Sequence, residues 1–172
     1  ITRGYKPGGF NTIFKTDAER SYDPEYSWNY EVGTRLKFFN GRLTAEADLF
    51  YIDWRHMQTT YTVPGVGNVI ANAGHTDSKG FELSLAYHPI KSLQLNLNYG
   101  YTHARYLEYK KSAREDFSDN RLPMVPNHTL SLNGTYTIMP AGWFDKIVFN
   151  TGLTGLGRIY WADDNIVRQN FY

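Results

Sequence analysis

The residues in this sequence with the capacity for chemistry are histidines, carboxylates, and arginines set among aromatic rings. Five histidines, His56, His75, His88, His103 and His128, accompany many Asp and Glu residues. A zinc or iron site needs several such donors converging, usually with a close-spaced pair on one face. No pair has that spacing, so no metal site and no cofactor are expected. The histidines read as solvated or networked groups, with His75 and His103 retained as contacts for a ligand because they lie near long connections. Cysteine is absent, which removes disulfides and thiolate sites and leaves the compartment open. Ser, His and Asp occur without a Gly-x-Ser-x-Gly elbow, and "GVGNVIANAG" (65–74) lacks the strand, turn and helix of a phosphate loop. An enzyme is not expected.

Two other constellations carry more. "DWRHMQTTY" (53–61) and "YTHARY" (101–106) set planar cationic forks beside aromatic faces. With Arg121, the residues Trp54, Arg55, Tyr61, His103 and Arg105 would suit an anionic ligand with apolar or aromatic parts. Interfacial aromatics and loop-stabilising pairs are the competing role. The second constellation is a run of charges, Glu31, Arg35, Lys37, Arg42, Glu46 and Asp48, with Asn29 beside it. Such a wall can pair its charges across neighbouring strands, or hold a separate domain by polar contacts. "ARYLEYKKSARED" (104–116) reads as a solvated loop.

Strands must position these groups. In "SWNYEVGTRLKF" (27–38), Trp28, Tyr30, Val32, Leu36 and Phe38 alternate with Asn29, Glu31, Arg35 and Lys37, the signature of one apolar and one polar strand face. After the turn dipeptide Asn40-Gly41, Leu43, Ala45, Ala47, Leu49 and Tyr51 continue the code. It returns through Phe81 to Tyr87, through Leu93, Leu95, Leu97, Tyr99 and Tyr101, and through Leu130 to Ile138, and it weakens from Ile147 to Leu153. The chain is therefore all-β, antiparallel and up-and-down. Connections near residues 40, 90 and 140 are short, while 6–26, 61–76 and 108–126 are long and polar, placing every long loop at one end. Segments such as Ser27 to Phe39, Arg42 to about Thr60 and Leu93 to about Tyr106 exceed the roughly nine to eleven residues that cross a bilayer.

Composition agrees. Aromatics reach 16%, with 14 Tyr, 10 Phe and 4 Trp, and they cluster as two girdles: Phe38, Phe39 and Trp143 near short turns, and Trp28, Tyr30, Tyr99, Tyr101 and Tyr160 towards the long loops. No run is long and apolar enough for a spanning helix, and a mean hydropathy of −0.52 suits a barrel strand that gives only alternate residues to lipid. A net charge of +1 suggests no nucleic-acid partner.

In order, "RGYKPGGFN" (3–11), "YDPEYSWNYEVGTRLKFFNGRL" (22–43), "ADLFYIDW" (47–54), "NAGHTDSKGFELSL" (72–85) and "RLPMVPNHTLSLNGTY" (121–136) resemble the C-terminal part of the barrel of TonB-dependent outer-membrane receptors, siderophore receptors in particular. The resemblance implies a transmembrane barrel of roughly 22 strands, plugged by a separate domain, that imports a scarce ligand with energy from the TonB complex in the bacterial outer membrane. About seven or eight strands are legible here, so residues 1–172 would be part of one barrel domain without the plug or the closing strands. Asn170 and Arg168, two and four residues before Tyr172, break the pattern of a closing strand. Trp28, Tyr30, Val32, Leu36, Phe38, Leu93, Leu95 and Leu97 would then face lipid. Asn29, Glu31, Arg35, Lys37, Glu46 and Asp48 would face the plug, and Arg55, Trp54, Tyr61, His103, Arg105 and Arg121 would meet a ferric siderophore or a comparable cargo such as haem, cobalamin or a glycan. A small complete barrel for passive diffusion or adhesion, and a soluble carbohydrate-binding β-sandwich, are the rivals.

Overall fold

The computed structural model describes residues 1–171 except 73, 111–114, 141 and 143–144. Trp143, Tyr172 and the middle of "ARYLEYKKSARED" lie outside the described residues. The strands are β1 (Thr2–Lys6), β2 (Gly9–Phe10), β3 (Ser21–Tyr22), β4 (Glu25–Phe38), β5 (Leu43–Arg55), β6 (Gln58–Val63), β7 (Gly67–Asn72), β8 (His75–Ile90), β9 (Leu93–Glu108), β10 (His128–Ile138), β11 (Ile147–Leu156), β12 (Ile159–Tyr160) and β13 (Arg168–Gln169). Seven of them form one antiparallel sheet in the order β1-β4-β5-β8-β9-β10-β11, and the pairs β2-β3, β6-β7 and β12-β13 sit in the long connections. Each neighbour in the sheet is a chain neighbour once those connections are set aside, so the expected up-and-down order holds.

Register turns single-strand alternation into continuous faces. Val32, Leu49, Phe81, Tyr101 and His128 share one row, and Thr34, Ala47, Leu83, Tyr99 and Leu130 the next. Below these run Leu36, Ala45, Leu85, Leu97, Leu132 and Leu153, then Phe38, Leu43, Tyr87 and Leu95. No Asp, Glu, Lys or Arg enters these four rows. Yet the face is bare: Val32 is 67% exposed, Leu49 59% and Leu153 60%. Aromatics band it at both ends. Trp28 stacks on Tyr30 at 6.5 Å, Tyr30 meets Tyr51 at 6.2 Å and Phe81 meets Tyr101 at 6.0 Å at the loop end, while Phe38, Phe39, Tyr87, Tyr136 and Phe149 are exposed at the short-turn end. Tyr160 instead lies in β12, beyond the wall.

The buried apolar residues, Met57, Val63, Val69, Ala104, Tyr106, Tyr109 and Ile159, all lie at the loop end. A sandwich would bury one face of the sheet under a second sheet. Here neither face of the wall has such a cover among the described residues.

Several boundaries differ from the sequence reading, for local reasons. β5 ends at Arg55 instead of near Thr60 because His56 takes a positive φ of 56° and its N–H leaves the ladder to donate to the Gly74 carbonyl at 3.0 Å. β8 starts at His75, six residues before Phe81, since the charged "TDSK" segment is strand although its outward positions are polar. β1 pairs with β4 as the edge of the sheet. Stretch 61–76 carries most of the β6-β7 hairpin, and 6–26 holds β2, β3 and one turn of 3-10 helix at Asp17–Glu19. The connection between β4 and β5 spans residues 39–42, with positive φ at Phe39, Asn40 and Gly41, a longer turn than the two-residue hairpin that Asn-Gly suggests.

Side-chain amides tie the loops together. An Asn side chain carries the same donor and acceptor as a peptide unit, and three of them pair with a single residue's main chain as a strand neighbour would. Asn11 donates to Ile70 O at 2.9 Å and accepts from Ile70 N at 3.0 Å. Asn72 accepts from Asp23 N at 2.7 Å, donates to Asp23 O at 2.9 Å and reaches His56 O at 2.7 Å. Asn165 accepts from Arg121 N at 2.7 Å and donates to Arg121 O at 2.9 Å. Gln58 adds bonds to Pro7 O and Asp23 O, and its N–H donates to the buried Glu25 carboxylate at 2.6 Å. Replacing Asn72 with Ala removes three of these bonds, and is expected to cost about 1–3 kcal/mol of local stability. Hydrogen exchange should quicken in residues 7–24 and 58–72 and stay unchanged in β9 and β10; equal exchange everywhere would show that the clamp holds nothing.

Candidate functional site

The polar face of β4 and β5 is built by the positions that alternate with the apolar rows. Arg35 lies directly opposite Glu46 and grips both carboxylate oxygens, Nε to Oε1 at 2.9 Å and Nη2 to Oε2 at 3.0 Å. Two parallel bonds of this kind fix orientation as well as charge. Next along the wall the logic reverses. Asp48 faces Glu82 across the β5-β8 ladder, and like charges directly opposite are unfavourable. Glu31 and Asn29 line the same shallow cleft, with Phe50 and Ile52 forming its apolar side. Gly33 stands opposite Asp48, so no side chain opposes the carboxylate, which lies over it. Among the described residues no Lys or Arg makes an ion pair with Glu31, Asp48 or Glu82. Asn29 donates to Glu31 at 3.2 Å, but its Oδ1 is buried without a hydrogen-bond partner. Sequence reasoning missed Glu82 as a member because the match of Asp48 to Glu82 is a property of register.

The six ligand candidates do not form one group: His103, Arg105 and Arg121 lie together, while Trp54, Arg55 and Tyr61 stand apart. Arg55 is opposite Tyr26 and His75, His103 opposite Lys79, and Arg105 opposite Asp77, in rows that continue those of Trp28 and Tyr30. Arg121 forms a bridge with Arg105. All four cationic candidates therefore stand at the loop end of the apolar face. Arg55 is held by Asp53 at 2.9 Å, and Asp53 also binds His75. Arg105 is held by Asp77 at 3.1 Å and reaches Asp119 at 3.5 Å. Tyr61 sits in β6 opposite Val69, where burial and the charge of Glu19 raise the pKa of its phenol. Only Trp54 looks to the polar side, and there it packs on a cluster of Met57, Tyr106 and Tyr109 with Phe117 and Leu122.

This cluster gathers three of the buried apolar side chains. Tyr106 is 3% exposed and Tyr109 6%, with ring centres 4.6 Å apart, and Phe117 completes the stack at 5.6 Å from Tyr109. The Tyr106 hydroxyl donates to Asp163 at 2.7 Å, so an aromatic on β9 is tied to the connection between β12 and β13. Burial, then the Asp163 charge, push the Tyr109 phenol up from its ordinary value. The first part of "ARYLEYKKSARED" is thus packed strand end, with Ala104, Tyr106 and Tyr109 buried. The period-two spacing of Ala104 and Tyr106, both buried, was the available signal.

A one-layer antiparallel sheet with an uncharged face banded by aromatics and a charged face behind it is the wall of a transmembrane β-barrel. The chain belongs to the TonB dependent receptor-like, beta-barrel family, whose model matches residues 1–172. It is 26% identical over 167 residues to a protein of Acinetobacter baumannii described as "Probable TonB-dependent siderophore receptor PiuA", covering 86% of this chain and 21% of that one. It is also 26% identical over 140 residues to the ferric-pyoverdine M114 receptor PbuA of Pseudomonas sp., covering 81% of this chain and 16% of that receptor. The chain thus spans about a fifth of the length of these relatives. In fold it is similar to the ferric yersiniabactin uptake receptor FyuA of Yersinia pestis, with a TM-score of 0.76, 24% identity, and coverage of 99% of this chain and 24% of that one.

Proposed function

We propose that this chain is wall of an outer-membrane receptor that imports a ferric siderophore, with energy delivered through TonB, and that it performs binding and gating without a covalent step. In this reading the apolar rows face lipid and the polar face looks into a lumen holding the receptor's own plug. The observation that carries it is the acidic cleft of Glu31, Asp48 and Glu82, where no carboxylate has an ion pair among the described residues: with the buried amide oxygen of Asn29, it calls for a donor from inside the barrel. A cationic side chain of a plug would supply it. The siderophore and pyoverdine receptors among the relatives support the class of cargo. Cargo entering from the loop end would meet the Trp54 side of the wall, where the Met57, Tyr106 and Tyr109 cluster holds the loops in place.

Uptake of iron-loaded siderophores by the full-length receptor, expressed in a receptor-deficient strain, tests this. Accumulation of label from one member of a siderophore panel, abolished when TonB is deleted, is the expected result. Uptake of none of them, or uptake that persists without TonB, would contradict it.

A further inference from the structure

Arginines at the loop end fall into two kinds. Arg55 and Arg105 stand at the apolar face, each held by an aspartate. Arg158 instead lines a small cavity with Thr102, Ala104, Arg121, Asn127 and Tyr160. Thr102 and Ala104 alternate along β9 with Tyr101 and His103, so this cavity belongs to the polar side of the wall. The turn that follows Tyr160 crosses to the same side, because Asp163 accepts the Tyr106 hydroxyl there.

Arg158, Tyr160 and Arg168 form one group. Tyr160 pairs directly with Arg168 across the β12-β13 ladder, and both guanidinium groups, Arg158 foremost, bond to its phenol and hold it below its ordinary pKa against the effect of burial. A phenol oxygen that accepts from arginine keeps its own O–H to donate. Neither Arg158 nor Arg168 makes an ion pair among the described residues. The carboxylates nearest along the chain have other donors: Asp163 takes the Tyr106 hydroxyl and Asp164 the Ile166 N–H. Asn127 adds an acceptor to the same cavity, its Oδ1 buried without a partner. A carboxylate matches guanidinium forks with parallel charge-assisted bonds, and a hydroxyl beside that carboxylate would supply the donor that Asn127 lacks.

The geometry points to Arg158, Tyr160 and Arg168 as a specificity site that binds a hydroxycarboxylate carried by the iron chelate and discriminates against uncharged chelates. This rests on the reading of the chain as part of an importer of iron chelates, and it gives that cargo a chemical class.

Quenching of tryptophan fluorescence in the full-length receptor in detergent, titrated with ferric citrate and with a neutral ferric trihydroxamate, tests the site. Ferric citrate should bind to wild type. Arg158→Gln or Arg168→Gln should weaken that binding about tenfold, and Tyr160→Phe about threefold. Arg158→Lys, which keeps the charge without the fork, should recover only part of the loss. Lys79→Gln, on the apolar face, should change nothing. No binding of ferric citrate, or equal binding of the trihydroxamate, would overturn the proposal. So would undiminished ferric citrate binding by either glutamine variant with a melting temperature that shows folding, or an equal loss in Lys79→Gln. The two readings fail separately: TonB-dependent uptake confined to uncharged chelates would keep the importer and remove this site, whereas ferric citrate bound at these residues but never taken up would do the reverse.

Discussion

Arginine in place of Leu97 is expected to cost the full-length receptor about 2–4 kcal/mol of barrel stability, measured by denaturant unfolding in liposomes. Leu97 sits in the row Leu36, Ala45, Leu85, Leu97, Leu132 and Leu153, the uncharged centre of the wall. A guanidinium there has no carboxylate within its row and must reach past one or two further rows to find water. The same change at Asn96, one residue away on the polar face, is expected to cost under about 1 kcal/mol. Equal costs at the two positions would mean that the faces are not divided between lipid and water.

Tyr106→Ala is the second large effect. Its ring is buried between Trp54, Met57 and Tyr109, and removing a buried aromatic costs about 3–5 kcal/mol where the site cannot collapse. The loss should be local, since the wall strands are joined by their own ladders. Limited proteolysis should open residues 108–126 and 159–169 while β4, β5 and β8 stay protected. Tyr106→Phe keeps the packing and loses only the bond to Asp163, an expected loss of about 1–2 kcal/mol. Unaltered proteolysis in the alanine variant would show that the cluster does not hold the loops.

How far the sequence speaks can be judged from β9. Leu93, Leu95, Leu97, Tyr99 and Tyr101 announce the strand by their types, and the structure puts them on one face as the alternation requires. His103 and Arg105 keep the same parity, so their outward position was legible too. It was missed because cations beside aromatics were given to a ligand without following the alternation past the leucines. The same holds for Arg55 on β5, whereas the charged start of β8 was missed because a change from leucine to charge resembles the end of a strand. Other features could not be read. Asn11, Asn72 and Asn165 are ordinary loop residues until their amides meet main chain 59, 49 and 44 positions away. The opposition of Asp48 and Glu82 depends on the register between two strands separated by a hairpin, and nothing local specifies it.

The division of the wall into a lipid face and a lumen face is the claim on which the rest depends. A scan of spin-labelled cysteines from Leu93 to Tyr101, introduced one at a time into a cysteine-free form of the full-length receptor in a bilayer, measures it directly. Collision with oxygen, which concentrates in lipid, should be high at 93, 95, 97, 99 and 101 and low at 94, 96, 98 and 100, with a water-soluble relaxant giving the opposite phase. Loss of the two-residue period, or oxygen collisions peaking at Gln94, Asn96 and Asn98, would contradict the account.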